Sequence, residues 1–281
     1  MKEEFVRHET YINSLIKYGM TCTNRAQLYS AISIIQNVTN SHPKKTLTEE
    51  QKKYIELARL AKEYIPEDHV YDQTEYVKKR TFHLVEHDLL SLLVHVSKVA
   101  KVSENIRECI ARILMTVAED TKYRGLMVAR GAHLPLLDIA NNGRSEVMNI
   151  AAQSLAKIAV TSDPRLVFPG QQSVELVKPF IRLLDAQHEL QIFESLLALT
   201  NLSAESEEVR KKILYEDGVS KIAYLQTDDC ELIQRAATEC LCNLLYEPEI
   251  FSMYVQETGT RFQDILLWLF LCGLFFLYKI L

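Results

Sequence analysis

The sequence predicts an all-α fold built from a helical repeat, and two features of the chain support this. It holds only 8 glycines and 7 prolines among 281 residues, about half the usual share, which disfavours the many turns of an all-β fold. Apolar residues recur at spacings of three and four, as on one face of an α-helix. A hydrophobic content of 48% with 25% charged residues excludes a disordered chain.

A short apolar pattern marks the repeat. The pattern opens with a leucine and closes with a second aliphatic residue three positions later. Its leading leucines stand 41 to 44 residues apart along the chain: Leu114, Leu155, Leu199 and Leu241. A period of about 40–47 residues in a helical chain is typical of armadillo or HEAT repeats. We therefore expect armadillo repeats arranged as a right-handed superhelical solenoid.

Each armadillo repeat has one short and two longer helices, and glycines mark where the helices meet. Gly131 and Gly218 lie at equivalent distances before Leu155 and Leu241. A glycine there lets two helices join at a sharp angle without a clash of a β-carbon. The predicted helices of two repeats are 120–130, 132–141 and 145–161, followed by 206–216, 218–226 and 229–246.

Two segments interrupt the regular period. An earlier copy of the pattern begins at Ile35, roughly two periods before Leu114, and the Lys-, Glu- and Leu-rich segment 49–64 fills the excess as an inserted helix. Residues 265–281 are apolar on every side, unlike a helix with one solvent-facing side. This tail is shorter than a typical membrane span of about 20 residues. We expect it to cause self-association, with a membrane anchor or an ordered cap as the alternatives.

Charge and cysteine content limit the function classes. The net charge of −5 disfavours nucleic-acid binding, which usually needs a basic surface. The basic runs 78–80 and 210–212 are expected to be solvated helix faces, with a surface for an acidic partner as the alternative. Six cysteines without C-x-x-C spacing predict reduced thiols. Because no secretory signal opens the sequence, we expect a cytoplasmic protein, with anchoring to a membrane through residues 265–281 as the alternative.

One motif resembles a catalytic site. His83, Glu86 and His87 fit the H-x-x-E-H pattern of zinc hydrolases, in which two histidines on one helix face bind zinc. The alternative is a first repeat helix whose apolar side is Phe82, Val85 and Leu89. We expect this alternative, because no helix with a further metal ligand is evident. The sequence thus predicts no catalytic residue, no metal and no cofactor.

A polar position recurs two residues after the first residue of the repeat pattern. Its occupants are the following: Asn37, Thr116, Lys157, Asn201 and Asn243. Stacked repeats are expected to align these side chains along a concave surface, where asparagine offers both a donor and an acceptor to an extended segment. The alternative is that each side chain bonds to the backbone of the neighbouring repeat.

The position four residues before this polar position distinguishes the groove of nuclear import receptors from other armadillo grooves. Nuclear import receptors carry tryptophan at that position, and the tryptophan rings enclose the aliphatic part of bound lysine side chains. This chain instead has other residues there: Ser33, Arg112, Gln153, Leu197 and Glu239. Nuclear import is therefore not expected. The predicted binding groove combines polar residues of both positions: Asn37, Arg112, Thr116, Gln153, Lys157, Asn201, Glu239 and Asn243.

Longer motifs resemble one known family. FPGQQSVELVKPFIRLLD (168–185), ALTNLS (198–203) and RAATEC (235–240) closely resemble the UCS-domain myosin chaperones of animals, the uncoordinated-type family. KEEFV (2–6) and NVTNS (37–41) are similar to the central armadillo region that precedes the UCS domain in that family. The resemblance extends from about residue 2 to residue 264.

The resemblance implies a cytoplasmic, non-enzymatic co-chaperone. Such a protein binds the myosin motor domain through its armadillo groove, assists its folding, and works with the ninety-kilodalton heat-shock chaperone. The tetratricopeptide domain with which the family docks that chaperone is not found in these residues. We expect residues 1–70 to be the end of the central armadillo region, residues 71–264 a partial UCS domain, and residues 265–281 an aberrant tail. A generic armadillo scaffold without chaperone activity is the alternative.

Overall fold

The computed structural model describes residues 2–40, 72–99 and 103–257, and every regular element in these ranges is a helix. The predicted all-α fold is confirmed. The described residues fall into two compact units, divided between Asp120 and Thr121. The expectations for the segment 49–64 and for the tail 265–281 concern residues outside the described ranges.

Unit 1 contains two triplets of described helices. They are α1 (Lys2–Arg7), α2 (Glu9–Thr21), α3 (Arg25–Thr39), α4 (Thr74–Glu86), α5 (Leu89–Ser97) and α6 (Glu104–Ala118). The third helices of the two triplets, α3 and α6, pack directly against each other. Their starts are fixed by side chains that accept backbone N–H groups, Asn24 before α3 and Ser103 before α6, as expected at a helix N-terminus.

Unit 2 continues the repeat with ten described helices. They are α7 (Thr121–Ala129), α8 (His133–Asn142), α9 (Ser145–Thr161), α10 (Pro164–Val167), α11 (Gln171–Leu183), α12 (Glu189–Glu205), α13 (Glu207–Tyr215), α14 (Gly218–Leu225), α15 (Glu231–Leu244) and α16 (Pro248–Glu257). All six helices predicted from the spacing of leucines and glycines are present, with ends shifted by no more than two residues.

The core of unit 2 is a stack of third helices. α9 packs against α12, and α12 packs against α15. The leading leucines Leu155, Leu199 and Leu241 are all buried in this stack. Burial of one leucine side chain contributes about 2 kcal/mol to folding. The repeated leucine therefore marks the contact between repeats, as expected of an armadillo-type fold.

Both glycines are required where the sequence analysis expected them, for different reasons. Gly131 has a φ of +72°, a left-handed conformation that other residues rarely adopt. Gly218 has an ordinary backbone, but a β-carbon there would lie 2.7 Å from Ile181 Cδ1 and 2.9 Å from Ile213 Cγ2. The first glycine permits a turn and the second permits close packing of helices.

The basic run 78–80 is not uniformly solvated, which corrects the sequence interpretation. Lys79 is exposed, but the Arg80 side chain is only 1% exposed. Arg80 Nε donates to the carbonyl oxygen of Val38 at 2.8 Å, and Arg80 Nη1 donates to Glu3 Oε1 at 2.7 Å. Arg80 is thus a buried cation that links α1, α3 and α4.

Arginines satisfy carbonyl groups near the ends of several third helices. The last carbonyls of an α-helix lack partners within the helix, and cations are favoured there. Three arginines donate at 2.8 to 2.9 Å to carbonyl oxygens within the last five residues of third helices: Arg80 to Val38, Arg124 to Lys157 and Arg210 to Ser203. The run 210–212 is therefore also mixed, because Arg210 is committed to this bond while the exposed Lys211 pairs with Glu207.

Candidate functional site

The two asparagines of the predicted groove in unit 2 bond to neighbouring repeats. Asn201 Nδ2 on α12 donates to the carbonyl oxygen of Ala159 on α9 at 3.1 Å. Asn243 Nδ2 on α15 donates to the carbonyl oxygen of Thr200 on α12 at 3.0 Å. Both side chains are half-buried. The two equivalent bonds join successive third helices, which is the second of the two alternatives that the sequence left open.

Gln153 and Lys157 also join two repeats, through a residue that the sequence analysis missed. Lys157 Nζ lies 2.6 Å from Glu194 Oε1, and Gln153 Nε2 donates to Glu194 Oε2 at 3.0 Å. Gln191 Nε2 on the same helix as Glu194 donates to Gln153 Oε1 at 2.9 Å. The four side chains form a polar cluster between α9 and α12.

This cluster lies largely out of water. Lys157 is 4% exposed, and the Glu194 side chain is 15% exposed. The lysine is therefore held by one carboxylate rather than presented to solvent. A signal for Glu194 existed in the sequence, because it precedes Asn201 by seven residues, or about two helical turns, and so lies on the same helix face.

Two predicted groove residues of unit 1, Arg112 and Thr116, make bonds within their own helix. Arg112 pairs with Glu108 one turn earlier on α6, with 2.8 Å between Nη2 and Oε1. The Thr116 hydroxyl donates to the carbonyl oxygen of Arg112 at 3.1 Å. Asn37 and Arg112 are exposed. In unit 2, Glu239 on α15 is the exposed member of the set. Three of the eight predicted groove residues thus present their side chains to solvent.

Unit 2 also holds an open cleft beside the FPGQQS stretch. It has a volume of about 500 Å³ and is lined by α10 to α13, with Arg165, Gly170, Glu205 and Glu208 among its residues. Gly170 has φ +58° and ψ −123°, a backbone conformation almost restricted to glycine. In the sequence this stretch indicated only the family resemblance, and the cleft was not predicted.

The one cation among the described residues that line this cleft, Arg165, is paired with carboxylates. Arg165 contacts Asp163 Oδ2 at 2.9 Å and Glu205 Oε2 at 3.4 Å. The hydrogen bond from Arg165 lowers the pKa of Asp163. A backbone N–H and the Ser206 hydroxyl lower the pKa of Glu208. Both effects favour the ionised forms of Asp163 and Glu208.

The described cysteines are free, and two of them are buried, Cys109 and Cys240. Burial raises the pKa of the Cys240 thiol to about 12, and burial also raises the pKa of Cys109. Because the thiolate is the reactive form of cysteine, neither group is suited to nucleophilic chemistry.

The H-x-x-E-H motif does not lie within a single helix. α4 ends at Glu86, and His87 is the residue that follows its last turn. His87 Nδ1 lies 2.8 Å from Asn13 Oδ1 on α2. The expected apolar side is corrected in part: Val85 is buried in α4, but Phe82 is 42% exposed, and the buried Leu89 begins α5.

Within residues 2–40, 72–99 and 103–257, no three His, Cys, Asp or Glu side chains gather closely enough to hold a metal ion. No helix in the same ranges combines the length and the apolar character needed to cross a bilayer.

Comparison with known proteins gives a consistent result. Protein unc-45 homolog B of Xenopus tropicalis is 33% identical over 276 residues, which are 97% of this chain and 29% of that protein. UNC-45 from Drosophila melanogaster superposes with a TM-score of 0.76 at 34% identity, over 90% of this chain and 32% of the other. The myosin chaperone UNC-45 from C. elegans, in complex with a Hsp90 peptide, gives 0.78 at 30% identity, over 93% and 28%.

These matches are partial with respect to the relatives. The chain spans about 29% of the length of the curated relatives that it matches. No protein-family model matches the chain. The similarity nevertheless extends through both structural units and includes the stretches on which the family resemblance was based.

Proposed function

We propose, from the premise that this chain belongs to the UNC-45 family, that it is a non-enzymatic module that binds the myosin motor domain. The observation that carries the proposal is the match in sequence and structure to a protein described as a myosin chaperone, over 93% of this chain. We further propose a cytoplasmic location and cooperation with the ninety-kilodalton heat-shock chaperone, since that relative was solved with a Hsp90 peptide.

The proposed contacts with the myosin client come from the exposed polar members of the third helices. Arg112 in unit 1 and Glu239 in unit 2 offer opposite charges, and Asn37 offers a neutral amide. Asn201 and Asn243 use their amide N–H groups between repeats, so that each amide oxygen is left to accept a backbone N–H from an extended segment.

Gln153, Lys157 and Thr116 have a different role in this proposal. Their polar groups are committed to Glu194 or to their own helix. In this proposal Gln153 and Lys157 hold α9 against α12, Thr116 bonds within α6, and none of the three contacts the client. The predicted groove is therefore divided into residues that contact the client and residues that position them.

The test is binding of a purified myosin motor domain to the full chain. We expect the double variant Arg112→Ala, Glu239→Ala to bind about tenfold more weakly, because each change removes a charged hydrogen-bonding group. The matched control is Arg144→Ala, which removes an exposed arginine outside the proposed contact set. Unchanged affinity in a folded double variant contradicts the proposed contacts.

A second measurement separates a chaperone from a generic armadillo scaffold. The full chain should suppress aggregation of a heated myosin motor fragment at stoichiometric amounts. Binding without suppression would instead support the scaffold, while suppression that the double variant loses would support client binding through the third helices.

A further inference from the structure

A small cavity in unit 1 collects cationic side chains between α1 and α4. Its volume is about 250 Å³, and its lining includes Glu3, Arg7, Tyr76, Lys79, Arg80 and His83. Three of these side chains carry a permanent positive charge and one a negative charge. The cavity lies outside the third helices and is not used by the proposed function.

The floor of the cavity is charge-balanced. Arg80 is buried and bonded to Glu3 Oε1 at 2.7 Å and to the Val38 carbonyl oxygen at 2.8 Å. Asp72 lies 3.7 Å from Arg80 Nη2 and 2.8 Å from Lys2 Nζ. Two cations and two carboxylates thus form a rigid base that fixes α1 against α4.

The rim carries positive charge that the base does not compensate. Arg7, Lys79 and His83 are exposed, and no carboxylate pairs with them within the described ranges. Lys79 Nζ lies 5.7 Å from the Tyr76 ring centre. Lys79 and His83 are four residues apart on α4 and therefore lie on the same helix face, while Arg7 approaches from α1.

We propose that this cavity binds a phosphoryl group. A phosphoryl group carries about two negative charges and three acceptor oxygens. These match the Arg7 and Lys79 cations, for which the described residues supply no carboxylate, and the His83 nitrogen. Arginine binds such groups with its planar fork, and lysine binds them as a point charge. A carboxylate brings one charge and two oxygens and leaves one of the rim cations uncompensated.

The same chemistry has two sources, a phosphorylated protein segment and free phosphate. Isothermal titration calorimetry of the full chain tests both, with inorganic phosphate as one probe and an alanine-flanked phosphoserine peptide as the other. Tighter binding of the peptide assigns the site to a phosphorylated protein, and equal binding assigns it to the phosphate group itself. Equal binding of the unphosphorylated peptide, or no heat from either probe at millimolar concentration, overturns the proposal.

Charge-removing variants locate the binding. Arg7→Gln and Lys79→Gln should each weaken binding of the phosphoserine peptide about tenfold. Lys78→Gln is the matched control, because Lys78 is the exposed neighbour of Lys79 and does not line the cavity; it should change binding by less than about twofold. An equal loss with Lys78→Gln would indicate general attraction of anions and overturn the site. Unchanged thermal midpoints will show that the variants are folded.

Discussion

In both units, residues at equivalent positions of successive third helices face each other, but the residue types differ. In unit 2, Gln153 and Lys157 on α9 reach Glu194 on α12. In unit 1, Ser33 on α3 occupies the repeat position of Gln153, and its hydroxyl lies 4.0 Å from the Cys109 thiol on α6. Cys109 and Glu194 each lie five residues before a leading leucine. A carboxylate in one unit is therefore replaced by a thiol in the other.

This replacement changes whether the polar residue two positions after the start of the repeat pattern helps to hold neighbouring helices together. The carboxylate of Glu194 holds Lys157 against the neighbouring helix, whereas a thiol is a weak hydrogen-bonding group and Asn37 in unit 1 stays exposed. Residues at the same repeat position can thus stabilise the stack in one unit and face solvent in the other. The partner that a neighbouring repeat offers, such as Glu194 for Lys157, distinguishes the two outcomes.

The largest expected effect comes from breaking the ion pair of unit 2. Glu194→Ala leaves Lys157 buried without its carboxylate, so the free energy of unfolding should fall by about 3 kcal/mol. Arg112→Ala breaks the exposed pair with Glu108 in unit 1 and should cost less than about 1 kcal/mol. Urea unfolding followed by circular dichroism measures both.

A rescue variant separates loss of the ion pair from loss of packing. Lys157→Met combined with Glu194→Leu removes both charges and should recover most of the stability, because no buried charge is left alone. If Glu194→Ala and Arg112→Ala cost the same, the contrast between the units is wrong.

A smaller effect is expected from the asparagines. Asn201→Ala removes a hydrogen bond between α12 and α9 and should lower the free energy of unfolding by about 1 kcal/mol. Asn37→Ala in unit 1 removes an exposed amide and should have little effect on stability. Denaturant unfolding of the two single variants compares them directly, and an equal or larger loss for Asn37→Ala would contradict the assignment.

The smallest expected effect is a pH dependence in unit 2. His133 is buried beside the Phe168 ring, and burial lowers its pKa from the ordinary value of 6.5. The unfolded chain therefore binds a proton at this site more readily than the folded chain. The contribution of His133 to stability is complete above about pH 6.5 and is lost as the pH falls toward its folded pKa.

Unfolding midpoints in urea between pH 7.5 and pH 5 measure this dependence. His133→Gln should show a smaller loss of stability on acidification than the unsubstituted chain. His188→Gln changes an exposed histidine in the same unit and should keep the full dependence. Equal slopes for all three proteins would show that His133 is not the sensitive group.

The sequence by itself determined the repeat and the places of its helices. The leucines of the repeat pattern recur because each repeat must bury the same helix face, and periodic burial is visible in a single chain. Gly131 and Gly218 were predictable for the same reason, since a turn and a close helix contact restrict the residue type locally. These features are visible in a single chain because they recur with the period of the repeat, although the contact of Gly218 with Ile181 is itself between separate helices.

The tertiary structure decided which polar residues are available. The buried Arg80 donates to a carbonyl oxygen 42 residues earlier, and Lys157 is paired with a carboxylate 37 residues later. α4 stops at Glu86, and His87 therefore lies just beyond the helix. Hydrophobic periodicity describes one helix at a time, whereas the partner of a polar side chain depends on the register in which separate repeats stack.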